Sequence, residues 1–235
     1  MNFNKFFALA ALVIAPLSQA AYVTINEAGM DAVYSQVSFG NTPVDIRIGA
    51  TTTIVNAGLL DIDTPAKLNS LFGSHVGAQD VVNFYFVDTI SECGGFNVNI
   101  IGCGETPGND FVVESVWAAN TTIPSGGNIT YGVNLLAHEL GHNLGLQHRS
   151  GNDLMNPFIN GFQDLNAAEV ATILASPLVH KDANGNRFIT INPVLIVARA
   201  INNVPEPSTL VLMLSGLAIV GVRARKSKAQ AQAQA

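Results

Sequence analysis

Charge is scarce in this sequence. Only 12% of its 235 residues are Asp, Glu, Lys or Arg, against 48% that are hydrophobic. Bases are scarcest where a folded domain could lie. Of eleven Lys and Arg, Lys5 sits near the start, and Arg223, Arg225, Lys226 and Lys228 crowd the end. Residues 21–203 therefore hold six bases against sixteen acids, a net charge of −10. Such a domain repels phosphate backbones and offers no basic stripe, which argues against nucleic acid as a partner. Cysteine is limited to Cys93 and Cys103, and no Cys-x-x-Cys spacing exists, which argues against a thiolate metal site. There are no internal repeats.

The two ends read as processing segments. Lys5 precedes an apolar run at residues 6–17, and Ser18-Gln19-Ala20 places small residues where a signal peptidase reads them, so residues 1–20 are expected to be a secretory signal peptide. The run is too short to span a membrane. Near the other end, Pro205-Glu206-Pro207 precedes thirteen mostly apolar residues, 210–222, and then the basic cluster. Thirteen residues make about 20 Å of helix against a ~30 Å hydrocarbon core, so spanning needs Ser208, Thr209 and the snorkelling bases as well. "VPEPSTLVLMLSGLAIVGVRARK" resembles the PEP-CTERM sorting signal of Gram-negative bacteria throughout its length. The resemblance implies transient membrane insertion, then cleavage by an exosortase-type peptidase and release at the cell surface or outside. Retention as a plain membrane anchor is the alternative. Residues 204–228 are assigned to this signal, residues 229–235 to a low-complexity tail, and residues 21–203 to one domain. Two cysteines in an exported domain suggest a disulfide between Cys93 and Cys103; free buried thiols are the alternative.

Within the domain, residues 22–54 alternate β-branched and polar residues, and "DIRIGA" and "TTTIV" are expected as strands after the turn "FGNTP". Asp63-Thr64-Pro65 announces a helix carrying Leu68, Leu71 and Phe72 and stopping near Gly73. "VVNFYFVD" is a buried strand by its composition, and "NVNIIG" and "FVVESVWA" are expected as two more. A central helix is expected over residues 130–144, and a last one over 166–176 with Asn166 and Glu169 as a capping box. "DANGN" then turns the chain into "RFITI". Calcium is not supported at that turn, because Arg187 stands where an oxygen-ligand loop needs glycine and Pro193 where it needs an acid. The order of elements predicts an α+β, mixed α/β sandwich.

Three of the five histidines fall within "HELGHNLGLQH", residues 138–148. At about 100° per residue, His138, Glu139 and His142 share one arc of a helix, and the two imidazoles can meet at one zinc ion. Gly145 stands where the helix would end in the left-handed conformation, letting the chain double back and bring His148 to the metal. Three nitrogens and one open position describe a catalytic rather than a structural zinc, with Glu139 as the proton acceptor. At this composition, accident would produce the five fixed positions in roughly one such chain in 10⁵. His75 and His180 are expected to be ordinary surface or satisfied core residues.

The same stretch has the His-Glu-x-x-His-x-x-Gly-x-x-His pattern and resembles the metzincin zinc peptidases closely over residues 133–157. The resemblance implies a mixed twisted sheet, an active-site helix, a C-terminal helix and a methionine turn beneath the zinc, for which "NDLMNP" offers Met155. It also implies a strand that binds the substrate backbone, with "FVVESVWA" as the candidate. Arg149 after the third histidine departs from the best-known subfamilies, and Pro157 removes a tyrosine that assists the metal in some members. No cysteine-switch propeptide is visible.

The expected function is an exported zinc endopeptidase cutting a polypeptide substrate, with Phe158, Ile159 and Phe162 as apolar lining. The alternative is a secreted surface or matrix protein that keeps the fold and binds without cutting.

Overall fold

The computed structural model describes residues 25–199. The expected signal peptide, the C-terminal segment read as a sorting signal with its expected membrane insertion, and the tail lie outside the described residues.

The chain runs α1 (Glu27–Tyr34), β1 (Val44–Ile48), β2 (Thr52–Val55), β3 (Asp61–Ile62), α2 (Pro65–Phe72), β4 (Val82–Val87), β5 (Thr89–Ile90), β6 (Gly102–Gly104), β7 (Asp110–Glu114), α3 (Ser115–Ala118), α4 (Tyr131–Asn143), α5 (Ala167–Ala175), β8 (His180–Lys181) and β9 (Arg187–Val197). The result is a mixed α/β fold with a mostly parallel sheet in the order β1-β9-β4-β7-β6. β9 is parallel to β1, β2 and β4, and β4 to β7, while β6 and β8 attach antiparallel.

Burial on both faces explains the uninterrupted apolar run of β4. All six of its residues are buried. Phe84 and Phe86 join a core with Met30 and Val33 of α1, Leu136 and Leu140 of α4, and Val170 and Ile173 of α5. Tyr85 and Val87 join a second core with Leu71 of α2, Ile62 and Val112. Parallel strands covered on both sides have no polar face to alternate with.

The caps occur where the sequence announces them. Thr64 accepts from the Lys67 amide with Pro65 at the first turn, Thr130 accepts from Val133, and Asn166 forms the reciprocal capping box with Glu169. Four expectations are corrected. Residues 27–34 form a helix rather than part of an alternating strand region: Asn26 caps it, and Met30, Val33 and Tyr34 bury one face at helical spacing. "NVNIIG" makes a turn, and only Gly102 begins a strand. "FVVESVWA" is divided between the end of β7 and α3, and β7 is paired on both sides rather than lying at an edge.

The fourth correction concerns β9, which runs six residues past "RFITI", through Asn192 and Pro193, in the middle of the sheet. Ile191 directs its carbonyl at the Gly49 amide, so Pro193, two residues on, directs its missing N–H the same way. There the neighbouring edge is interrupted between Ile48 and Thr52, and no ladder bond is lost.

Candidate metal centre

α4 is built by burial rather than propensity. Its sequence "YGVNLLAHELGHN" carries two glycines and two asparagines, yet eleven of its thirteen residues are buried. Tyr34 of α1 donates its hydroxyl to the Ala137 carbonyl at 2.8 Å, one residue before the first histidine. Leu144 ends the helix, and Gly145 takes φ +97°, the left-handed bend expected of it.

That bend brings the third histidine home. His148 Nε2 lies 3.2 Å from His138 Nε2 and 3.1 Å from His142 Nε2. His138 donates Nδ1–H to the Leu154 carbonyl at 2.8 Å, and His142 donates Nδ1–H to the Leu146 carbonyl at 2.8 Å. A carbonyl only accepts, so both Nε2 atoms present lone pairs inward. A proton on His148 Nε2 could satisfy one of them and not both. Burial, the largest influence on each, pushes all three imidazoles down, His138 to about 3. Three neutral nitrogens facing one another are a cation's donor set. Bonds of about 2.0–2.1 Å to a tetrahedral zinc ion put neighbouring ligand nitrogens roughly 3.3 Å apart, and the observed separations fit. His138, His142 and His148 form the candidate site among the described residues.

Burial grades outward from His138, through the half-buried His142, to the exposed His148. Arg149 fixes the exposed member from behind. Its amide donates to the Met155 carbonyl at 2.8 Å, and its guanidinium pairs with buried Asp153 at 3.0 Å and reaches Glu169 of α5 at 3.7 Å. Met155 is fully buried, and a Cβ added at Gly141 would meet its sulfur at 2.6 Å. The thioether thus packs against α4 one residue before His142.

Glu139 lies on the adjoining arc. It is 5% exposed, burial pushes its carboxyl up to about 8, and no ion pair or hydrogen bond engages that carboxyl among the described residues. A neighbouring cation would oppose that upward shift. Its carboxyl rests on β6: a Cβ at Gly102 would collide with Oε1, and one at Gly104 would stand 3.3 Å from Oε2. Glu105 N donates to Asp110 O, and Glu114 N to Ile101 O. With Cys103 opposite Val112, Gly102 and Gly104 direct their own N–H and C=O away from β7, toward the sheet's free edge. The edge strand beside the site is β6, which replaces "FVVESVWA" in that position.

Sequence reasoning missed Gly102 and Asn134. A glycine within a strand signals close backbone approach, and an asparagine within a helix signals a side chain bonded elsewhere. Asn134 accepts from the Asn160 and Gly161 amides and donates to the Phe162 carbonyl, tying the loop after Met155 to α4. Gly102→Ala is expected to fold, because the group displaced is the free end of a side chain. If the peptidase expected from the sequence is present, zinc content should hold while peptide cleavage falls roughly 100-fold through misplacement of the Glu139 carboxyl; metal analysis and kcat/KM measurement check both.

The site opens into a cleft of about 890 Å³. Trp117, Tyr131, Leu135, Phe158 and Ile159 line it; Phe162, whose carbonyl accepts from Asn134, does not, which corrects its expected place in the apolar lining. Cys93 and Cys103 form the expected disulfide, which closes the loop along one wall.

Neither remaining histidine joins the centre. His180 Nε2 faces the Asp80 carbonyl at 3.0 Å. His75 Nδ1 lies 2.9 Å from Asp110 and Nε2 3.1 Å from the Ala78 carbonyl, two acceptors that favour the imidazolium. Burial opposes its charge, but Asp110, the Ala78 carbonyl and nearby Glu105 together raise its pKa above 6.5. A raised histidine stabilises fully below the unfolded value of ~6.5 and loses that contribution as pH climbs through the folded value. Burial raises Asp110 and Tyr85 as well. The extra unfolding free energy of wild type over His75→Gln should therefore shrink above pH 6.5, as read by urea titration at a series of pH values.

Residues 203–227 match the PEP-CTERM protein-sorting motif. The chain carries a sorting signal. The motif implies export and processing by exosortase-type machinery, as expected from the residues. No curated protein matches the chain. Among the described residues no helix is long and apolar enough to cross a membrane.

Proposed function

We propose that the protein is an exported zinc-dependent endopeptidase of the metzincin type. The observation that carries the reading is the convergence of three imidazole nitrogens beside a buried, unpaired carboxyl, at the foot of a free strand edge. His138, His142 and His148 hold the ion. Bound zinc supplies Lewis acidity, lowering the pKa of a water toward ~7 and polarising the scissile carbonyl. Glu139 takes the proton from the attacking water and returns it to the leaving amine. Gly102 and Gly104 offer N–H and C=O groups to an extended substrate backbone, which would add to the sheet as one more strand. Leu154 and Leu146, through their carbonyls, keep two of the imidazoles in the tautomer that binds metal.

The test is metal analysis of the purified protein, with digestion of an unfolded protein as substrate. One zinc per chain and internal cleavage abolished by Glu139→Gln are expected. Zinc-loaded protein that cuts nothing in a broad peptide library would favour the non-cutting surface or matrix protein.

A further inference from the structure

Two phenylalanines stand mostly in water on the described surface, Phe96 at 73% exposure and Phe158 at 80%. Both line the cleft of the candidate metal centre. They reach it on different segments. Phe96 belongs to the disulfide-closed loop that leads into β6, which flanks α4 at Glu139. Phe158 belongs to the loop after Met155, which flanks α4 at His138 through the Leu154 carbonyl.

Neither loop is slack. Cys93 and Cys103 pin the first at both ends, and a bridge joins Glu92 to Phe96. Asn156 Oδ1 accepts from the Phe158 amide, and Asn134 holds the loop two residues further on. Large apolar rings held in water by braced loops are preorganised for a partner, because the ordering cost has already been met in folding. Among the described residues, the cleft between them is lined by no lysine, arginine or aspartate, and its ionisable groups there are Tyr131, Glu139, His138 and His148. Its free strand edge takes extended backbone.

We propose that Phe96 and Phe158 form an aromatic grip selecting extended, uncharged polypeptide segments with bulky apolar side chains on both sides of the metal centre. The proposal deepens the endopeptidase reading and rests on its assignment of the cleft. Charged side chains would lose hydration against a mostly apolar wall free of Lys, Arg and Asp, so the grip discriminates against them as well as for apolar ones. The occupant is an exposed apolar stretch of another protein, not the folded surface of one.

Binding is measured on the zinc-loaded Glu139→Gln protein, by fluorescence anisotropy. One labelled probe is an uncharged peptide with Phe and Leu about its centre, and the other is the same peptide with those residues changed to Lys and Glu. The apolar probe should bind and the charged one should not. Phe96→Ser and Phe158→Ser should each raise Kd for the apolar probe about tenfold, with zinc content and Tm held. In protein with Glu139 intact the same substitutions should raise KM more than they lower kcat. Unchanged Kd in both variants overturns the grip. So does a wild-type dimer that dissociates on either substitution, or vesicle binding lost with them, since a second copy or a lipid surface would then be the occupant. Phe-dependent binding without wild-type cleavage would sink the endopeptidase and keep the grip. Cleavage with KM indifferent to both rings would do the reverse.

Discussion

Glu139→Gln is expected to retain one zinc per chain while lowering kcat/KM for peptide cleavage by about three orders of magnitude, within the 10²–10⁴ that a positioned general base contributes. The substitution keeps the shape that rests against Gly102 and Gly104 and removes only the ability to take a proton. The three nitrogens that fit the metal are untouched. Thermal stability should move the other way. Glu139 is 5% exposed with no cation or donor bonded to its carboxyl among the described residues, so its charge is unfavourable for the fold, and a neutral amide relieves that cost. A variant with raised Tm in the zinc-free protein and lost cleavage is the mark of a residue kept for chemistry at the expense of stability. A purely structural glutamate predicts the opposite pair, lowered Tm and retained cleavage. Calorimetry and a fluorogenic peptide assay on the same preparation distinguish the two.

The parts of this site that could be read from the sequence are those that repeat along one helix or mark its ends. His138, Glu139 and His142 are separated by one turn or less, Thr130 caps the start, and Gly145 makes the bend, so periodicity and φ preference suffice to place them. The edge strand could not be found in that way. Gly102 serves Glu139 across thirty-seven residues of chain, and a three-residue strand flanked by turns has too little alternation to be recognised. α1 was hidden for a related reason: eight residues hold barely two turns, and their neighbours alternate like a strand. "FVVESVWA" looks like one strand because β7 is covered on both faces and therefore apolar throughout; nothing local says that Ser115 begins a helix turn. The extension of β9 through Pro193 depends on a gap in a neighbouring strand about 140 residues earlier, a tertiary fact that overrides a sound local rule. The acidity of the whole domain gave no hint of a cleft wall free of Lys, Arg and Asp, because composition does not say where charges are absent.

His148→Ala should weaken zinc binding by more than 100-fold, measured by competition with a chromogenic chelator. Losing only a hydrogen bond behind a metal ligand costs 10–100-fold, and losing the ligand itself must cost more. The remaining pair, His138 and His142, sits on one helix and supplies two of the three nitrogens. Stability carries the same information. A metal that binds only the folded state stabilises it by RT ln(1 + [L]/Kd), so at saturating zinc a 100-fold weaker site gives up about 2.7 kcal/mol of metal-dependent stability. Without zinc, His148→Ala should match wild type, because the segment that carries His148 has its own supports: the left-handed Gly145, the Arg149 amide on Met155, and the guanidinium on Asp153 and Glu169. His148 itself is exposed, so little packing is lost with its ring. The expected pattern is equal Tm after chelation and a clear gap when zinc is restored. Equal Tm in both conditions would mean that the metal, if bound, sits elsewhere. A gap that persists in chelator would assign His148 to the fold and leave the bend at Gly145 with no ligand to deliver.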